Sequence, residues 1–317
     1  MRIFGDWGTS HLRLLLCRGD NVLDQREGPG VGVMAAQPGG FDFAMMLADL
    51  IGGWTRDHGR LPVFLSGMVG SRNGWQEAPY VPCPADTHAL AASTLRFESR
   101  GQPISIAPGV QCTNPRGAPD VMRGEETQIV GALSENPQLA RGRHVLGLPG
   151  THTKWVLVED GHIASFQTSF AGELYSLLRD HSTLARAGGG TTDDDPSRYR
   201  ASFELGLARS RQWPGVPLAH LLFETRSRQL IQGLPRSAAL AVLSGLIIGQ
   251  DVAGCLPLFG TTLSQSRSIH LIGAPHLLEL YRLAFSAHGV TARPMDATRA
   301  TMIGLRELAE DPPCRLS

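Results

Sequence analysis

The chain has 317 residues, 42% of them hydrophobic, which is enough for a large core and two domains of ordinary size. Lys plus Arg and Asp plus Glu number 29 each, so no basic surplus is available to hold a nucleic-acid backbone or an anionic membrane, and any anion site must be local. Cys17, Cys83, Cys112, Cys255 and Cys314 are scattered and odd in number, with no C-x-x-C pair, so neither a disulfide framework nor a zinc cluster is expected.

The first predicted elements are a strand, a Gly-Thr turn and a second strand across Arg2-Ile3-Phe4-Gly5-Asp6-Trp7-Gly8-Thr9-Ser10-His11-Leu12, with a further hairpin edge at Asn21-Val22-Leu23. Apolar residues at Phe41, Ala44, Met45, Ala48 and Ile51 predict an amphipathic helix over 41–54. Pro62-Val63-Phe64-Leu65 is a short buried strand running into Ser66-Gly67-Met68-Val69-Gly70-Ser71-Arg72-Asn73-Gly74-Trp75. Three glycines at a strand exit suit a loop that meets a ligand, although spacing alone fits a plain crossover equally well. Residues 77–84 are stiffened by prolines and should not be helical. After a strand at 104–107, residues 119–133 read as a helix with Asp120 at its N-cap and an internal Arg123–Glu126 pair.

Residues 145–158 repeat the opening plan. An apolar run enters Gly150-Thr151-His152-Thr153 and an alternating run leaves it, which predicts two strands joined by a tight turn. Such a turn can cradle phosphate, with Gly150 letting an anion approach the backbone and Thr151 and Thr153 adding hydroxyls. Lys154 is the only lysine in the chain, so a compact ammonium is either specifically wanted there or a survivor of chance. Two such hairpins half a chain apart suggest an internal duplication.

The meander continues over 161–170 and a helix opens at Ala171. Residues 187–195, with three glycines and three aspartates in succession, read as a solvated loop rather than a metal site. Helices are expected from Pro196 to about Gly254, then a strand and turn over 268–275, a helix over 276–288, and a helix over 297–309 capped by Asp296 and ended by Pro312. No signal-peptide pattern is present, and no apolar run reaches the roughly 20 residues of a membrane span. Cytoplasmic location is the expectation. No H-E-x-x-H, G-x-S-x-G or Walker G-x-x-x-x-G-K-[ST] pattern occurs, which disfavours a zincin, an α/β hydrolase and a Walker-type NTPase.

Asp-x-Gly-Thr in the first turn and a second Gly-Thr turn within a βββαβαβ order resemble the acetate-kinase, sugar-kinase and actin superfamily. Asp6-Trp7-Gly8-Thr9, Gly67-Met68-Val69-Gly70-Ser71-Arg72, Glu77-Ala78-Pro79-Tyr80-Val81-Pro82-Cys83-Pro84, Pro119-Asp120-Val121-Met122-Arg123-Gly124-Glu125-Glu126-Thr127-Gln128 and Leu148-Pro149-Gly150-Thr151-His152-Thr153-Lys154-Trp155 resemble, more narrowly, the 2-dehydro-3-deoxygalactonokinase family. The match thins after about Ser182. The resemblance implies an α/β fold of two related ribonuclease-H-like domains with an interdomain cleft, an actin-like ATPase fold. Expected boundaries are 1–142, 143–295 and a C-terminal segment 296–317 packing back on the first domain.

It also implies a kinase that moves the γ-phosphoryl of ATP to the C6 hydroxyl of 2-dehydro-3-deoxy-D-galactonate, a small sugar acid, with Mg²⁺ as cofactor. Asp6 would serve the metal, through water. Gly8, Thr9 and Ser10 would contact one set of phosphates, and Gly150, Thr151, His152, Thr153 and Lys154 the other, with Gly273 and Ala274 at the adenosine turn beside the helix from Ala238. Asp120 would be the general base. Arg72 and Arg123 are candidates for the substrate carboxylate, with Gly67, Met68, Ser71, Trp75, Glu77, Tyr80, Glu126 and Glu173 around the sugar.

Ser10-His11 stands where the family has Thr-Asn, and Phe170-Ala171-Gly172-Glu173 where Met-Thr-Gly-Glu is usual; the second removes a hydroxyl near the sugar. Kinases for another sugar or sugar acid, and a nucleotide-switched binding protein, are the alternative readings. Neither nucleic acid nor membrane is expected as a partner, and the oligomeric state, a homodimer included, is not legible.

Overall fold

The computed structural model describes residues 1–35, 41–184, 196–266 and 268–310. The Gly- and Asp-rich stretch at 187–195, Pro312 and Cys314 lie outside the described residues.

The chain opens with an antiparallel meander, β1 (Arg2–Trp7), β2 (His11–Arg18) and β3 (Asn21–Pro29), followed by α1 (Val31–Ala35). α2 (Phe43–His58) starts where the Asp42 carboxylate accepts from the Met45 N–H. β4 (Val63–Ser66) runs into a 3-10 turn at Met68–Gly70 and then β5 (Tyr80–Pro82), α3 (Thr87–Ala92), β6 (Leu95–Ser99), β7 (Gln102–Ile106) and β8 (Gly109–Thr113). β9 (Pro119–Met122) and α4 (Glu125–Glu135) complete this stretch. One sheet has the order β3-β2-β1-β4-β7-β6, with β1, β4 and β7 parallel, and a second, small sheet is β5-β8-β9. Alternation along β1 puts Ile3 and Trp7 in one buried cluster with Leu47, Ile51 and Trp54 of α2, which turns Phe4 and Asp6 to the opposite face.

β10 (Arg143–Leu148), β11 (Thr153–Glu159) and β12 (His162–Ser169) repeat the meander. The helices α5 (Ala171–His181), α6 (Pro196–Gln212), α7 (Leu218–Gln232), α8 (Arg236–Leu258) and α9 (Gly260–Ser266) follow, then β13 (Ser268–Gly273), α10 (Pro275–Ser286) and β14 (Thr291–Asp296). Their sheet has the order β12-β11-β10-β13-β14, the same winding as β3-β2-β1-β4-β7, with β10 and β13 parallel as β1 and β4 are. The duplication suggested by the two Gly-Thr turns is therefore carried by the topology. Both sheets have the ribonuclease-H-like order that the resemblance implied.

α11 (Ala297–Ala309) begins where the Asp296 carboxylate accepts from the Arg299 N–H, as the sequence indicated. It meets α4 at bare backbone. A Cβ on Gly131 would lie 1.8 Å from the Ala300 carbonyl oxygen, and one on Gly304 1.8 Å from that of Thr127.

The chain forms two compact units, one of residues 1–143, 158–166 and 296 onward, the other of His144–Leu157 and Gln167–Met295. In the second, α8 is a core helix: Leu243 and Ile247 join a cluster with Ala171 and Leu184, and Val242 and Leu246 one with Leu221 of α7. The sequence predicts no apolar run of membrane-spanning length. α8, 23 residues long and with an apolar stretch of mean hydropathy 1.8, does meet that length and composition, but 67% of the stretch is buried.

One predicted element is corrected. Asp120 is not a helix cap; it lies in β9, opposite Cys112 of β8, and its carboxylate accepts from the Val121 N–H. The helix starts after Gly124, whose φ of 105° only glycine adopts freely. Pairing with β8 outcompetes the local capping tendency of Pro-Asp.

Candidate active site

In the first unit, β1 delivers Asp6 to a hollow of about 80 Å³ lined also by Arg13, Gln128, Thr298 and Thr301. Burial raises its pKa to about 6; the Arg13 guanidinium opposes the shift and the Glu125 carboxylate adds to it. Glu125, the first residue of α4, was not singled out in the sequence, although Gly124-Glu125-Glu126 marks an acidic helix start. A divalent cation would relieve that repulsion, so this carboxylate fits Mg²⁺ held through water.

The turn after β1 is fixed from behind. The carbonyls of Gly8, Thr9 and Ser10 accept from the N–H groups of Val31, Gly32 and Gly30 at 2.9, 2.9 and 3.0 Å, leaving the Thr9 and Ser10 side chains exposed. Gly67, at φ 94°, brings the next loop close: a Cβ there would lie 2.8 Å from the Trp7 carbonyl oxygen and 3.2 Å from Asp6 Oδ1. A Cβ on Gly124 would lie 3.2 Å from the Cα of Gly67. Asp6, the glycine loop and the start of α4 thus converge.

Of the two arginines expected to hold a carboxylate, Arg72 is 86% exposed and faces Glu77 at 3.8 Å. Arg123 is 9% exposed. Its Nη2 donates to the Ala78 carbonyl at 2.8 Å, its guanidinium lies 4.3 Å from the Tyr80 ring centroid, and Nε and Nη1 are buried with no hydrogen-bond partner. Unpaired N–H groups of a buried cation are costly, and an incoming carboxylate supplies what they lack. Ser71 Oγ is likewise buried and unpartnered.

Other expected sugar contacts are engaged elsewhere. Glu126 is fully buried and turned back on its own helix start, accepting from the Gly124 N–H at 2.7 and 2.9 Å and from Thr127 Oγ1; burial raises its pKa to about 8, with Glu125 adding to the shift. Its predicted pairing with Arg123 inside a helix is replaced by this contact, because Arg123 precedes α4. Trp75 stacks on Phe43 at 6.4 Å and meets Phe97 edge-on at 5.2 Å, as part of the α2 core, and Met68 packs against the same cluster.

In the second unit, β10 and β11 are joined through Pro149, Gly150, Thr151 and His152. Among the described residues nothing lies within 4 Å of a Cβ placed on Gly150, so its backbone is open to an approaching group. The start of α5 leans on this turn: the Glu173 N–H donates to the Thr151 carbonyl at 2.8 Å, and a Cβ on Gly172 would lie 2.1 Å from the Gly150 oxygen. His152 stacks on Phe170 at 5.7 Å and its Nε2 meets Glu173 Oε2 at 2.5 Å, which places Glu173 on the β10–β11 turn and not with the other expected sugar contacts. Thr153 and Lys154 are both buried, on opposite faces of β11, and Lys154 Nζ donates to Thr168 Oγ1 at 2.9 Å.

Beside the turn opens a cavity of about 420 Å³, whose lining includes Thr151, Tyr175, Arg179, Tyr199, Ser244 and His276. α8 contributes Ser244, Ile247 and Ile248 to its lining. Gly273 and Ala274, expected at the adenosine turn, are not among its lining residues; a Cβ on Gly273 would lie 3.2 Å from the Pro149 carbonyl oxygen, while His276 and Leu277 just beyond them do line it. Tyr175, Arg179, Tyr199 and Ser244 were missed in the sequence because they come from three helices that only tertiary packing brings together.

The chain matches the 2-keto-3-deoxy-galactonokinase family over residues 6–308. It is 34% identical to a probable 2-dehydro-3-deoxygalactonokinase of Rhizobium meliloti (strain 1021), over 96% of this chain and 95% of that protein. It is 33% identical to the 2-dehydro-3-deoxygalactonokinase of Escherichia coli (strain K12), over 96% of each. The crystal structure of a putative 2-dehydro-3-deoxygalactonokinase protein from Sinorhizobium meliloti superposes with a TM-score of 0.82 at 33% identity, covering 98% of both chains. The chain belongs to the 2-keto-3-deoxy-galactonokinase family of sugar-acid kinases.

Proposed function

We propose that this chain transfers the γ-phosphoryl group of ATP to the C6 hydroxyl of 2-dehydro-3-deoxy-D-galactonate. The observation that carries the acid half of this reading is Arg123, a buried guanidinium stacked on Tyr80 with two nitrogens unpaired. It holds the substrate carboxylate, and Arg72, exposed, does not. Ser71 Oγ, also unpartnered, receives a sugar hydroxyl.

Asp120 receives the C6 proton. A carboxylate is far too weak a base to remove an alcohol proton in advance, so the proton moves as the new O–P bond forms. Glu125 joins Asp6 at the metal; Mg²⁺ there supplies charge neutralisation on the transferring phosphates. The open Gly150 backbone and the Thr151 hydroxyl receive phosphate oxygens in the second unit, and the cavity walled by Tyr175, Tyr199 and α8 takes the nucleoside. The cytoplasm, where ATP and reduced thiols coexist, is the proposed place of action.

The test is a coupled ADP-release screen over sugar acids differing at C4, with and without magnesium. Turnover is expected with the galacto-configured 3-deoxy-2-keto acid and magnesium. Equal turnover of the C4 epimer would replace the substrate assignment with a broader sugar-acid kinase, and ADP release without any acid would overturn the transferase reading.

A further inference from the structure

Behind the Gly150 turn stands a row of polar groups that phosphate binding does not itself require. Thr153, Trp155 and Tyr281 are all fully buried. The Tyr281 hydroxyl donates to Asp251 Oδ2 at 2.6 Å and Trp155 Nε1 donates to Oδ1 at 2.8 Å. Ser169 is a third partner of the same carboxylate. Since the one hydroxyl hydrogen of Tyr281 is committed to Asp251, the 3.2 Å contact between Tyr281 and Thr153 Oγ1 has Thr153 as donor. The Thr153 hydroxyl hydrogen therefore points into the core and not at a phosphate, contrary to the role the sequence suggested.

We infer that Asp251 and Tyr281 are positioning residues for the phosphate turn, acting through the Thr153 hydroxyl. The inference rests on the reading of residues 150–153 as a nucleotide-phosphate site. One carboxylate on α8 ties β11 through Trp155, the end of β12 through Ser169 and α10 through Tyr281, and these are the elements that frame the turn and the adjoining cavity. Packing alone does not call for such a network, because apolar residues of similar volume fill a core at no loss of stability, and often at a gain. What the network adds is direction. Threonine in β11 is held in one rotamer from below, so the N–H groups of the turn above it keep a fixed aim at an arriving anion.

The experiment measures kcat, KM for ATP, KM for the sugar acid and the thermal midpoint in Tyr281→Phe, Thr153→Val and Thr153→Ser, with Thr151→Val as a reference within the turn. Tyr281→Phe and Thr153→Val are each expected to raise KM for ATP about tenfold, the value of one buried hydrogen bond, while KM for the sugar acid stays within about twofold. Thr153→Ser, which keeps the hydroxyl, restores tight ATP binding. Should Tyr281→Phe fold poorly, Thr153→Val reports the same contact from the turn side. A lowered midpoint with both KM values unchanged overturns the inference, leaving the row a structural one. Wild-type KM for ATP in Tyr281→Phe and Thr153→Val but a raised value in Thr151→Val overturns the positioning role and keeps the phosphate turn. Unchanged KM for ATP in all of these variants removes the phosphate-turn reading as well, and the inference with it.

Discussion

The Arg123 guanidinium lies over the Tyr80 ring, 4.3 Å from its centroid, with one nitrogen tied to the Ala78 carbonyl and two left without partners. Lysine cannot reproduce a planar cation that stacks and bonds at once. Arg123→Lys should raise KM for the sugar acid by roughly 10- to 100-fold, equivalent to about 1.5–3 kcal/mol for hydrogen bonds to a charged group. Steady-state kinetics checks this, with Arg72→Ala, on the exposed arginine, expected to stay within about threefold.

Asp120 shares its strand pairing with Cys112 and caps no helix, so replacing its carboxylate leaves the start of α4 untouched. Asp120→Asn keeps an oxygen for the Val121 N–H. Turnover should fall about 10²- to 10⁴-fold, the usual worth of a general base, with KM for ATP and the thermal midpoint little altered. A variant within tenfold of the wild type would remove Asp120 from the mechanism.

Asp6 and Glu126 both hold protons more tightly folded than unfolded, with pKa values of about 6 and about 8 against 3.8 and 4.5. Below about pH 4 both states are protonated and the shifts have no effect on stability. As pH rises the unfolded chain releases these protons first, so stability is lost progressively through about pH 6 for Asp6 and about pH 8 for Glu126. Glu126→Gln should therefore raise the denaturation midpoint relative to wild type at pH 8.5 and make little difference at pH 4.5.

The same Asp6 shift bears on activity. With Asp6 serving the metal, kcat/KM should fall as pH drops through about 6, and added magnesium should push that acidic limb lower by competing with the proton. Rate profiles at low and saturating magnesium would show the displacement; superimposable limbs would separate Asp6 from the metal.

Gly150 and Gly172 predict opposite behaviours from the same substitution. A Cβ on Gly172 would sit 2.1 Å from the Gly150 oxygen, so Gly172→Ala must displace α5 from the turn and should lower the thermal midpoint as well as kcat/KM for ATP. A Cβ on Gly150 meets no atom of the described residues within 4 Å, so Gly150→Ala should fold as wild type and show its effect only as a raised KM for ATP. Calorimetry paired with ATP titration distinguishes the two.

What the sequence revealed follows from how local each signal is. The two meanders are written in strand alternation and Gly-Thr turns, and α11 in an Asp cap followed by a helical period, so none of these needs a distant partner to be recognised. β9 is different: Pro119-Asp120 carries a helix-start signal that pairing with β8 overrides, and the informative residue was Gly124. Trp75 resembles a pocket residue in a glycine-rich loop, yet its ring completes the core under α2. The cavity lined by Tyr175, Tyr199 and Ser244 has no contiguous motif at all, since its residues share only a location.

The glycine contacts between α4 and α11 have a consequence for how the protein is made. Thr298, which receives a hydrogen bond from an arginine 285 residues earlier, helps to wall the hollow that holds Asp6. A ribosome that has released only the opening sheet has thus produced one wall of that chamber. Its missing side comes with α11, so the hollow can be completed only after translation has passed through the whole of the other unit.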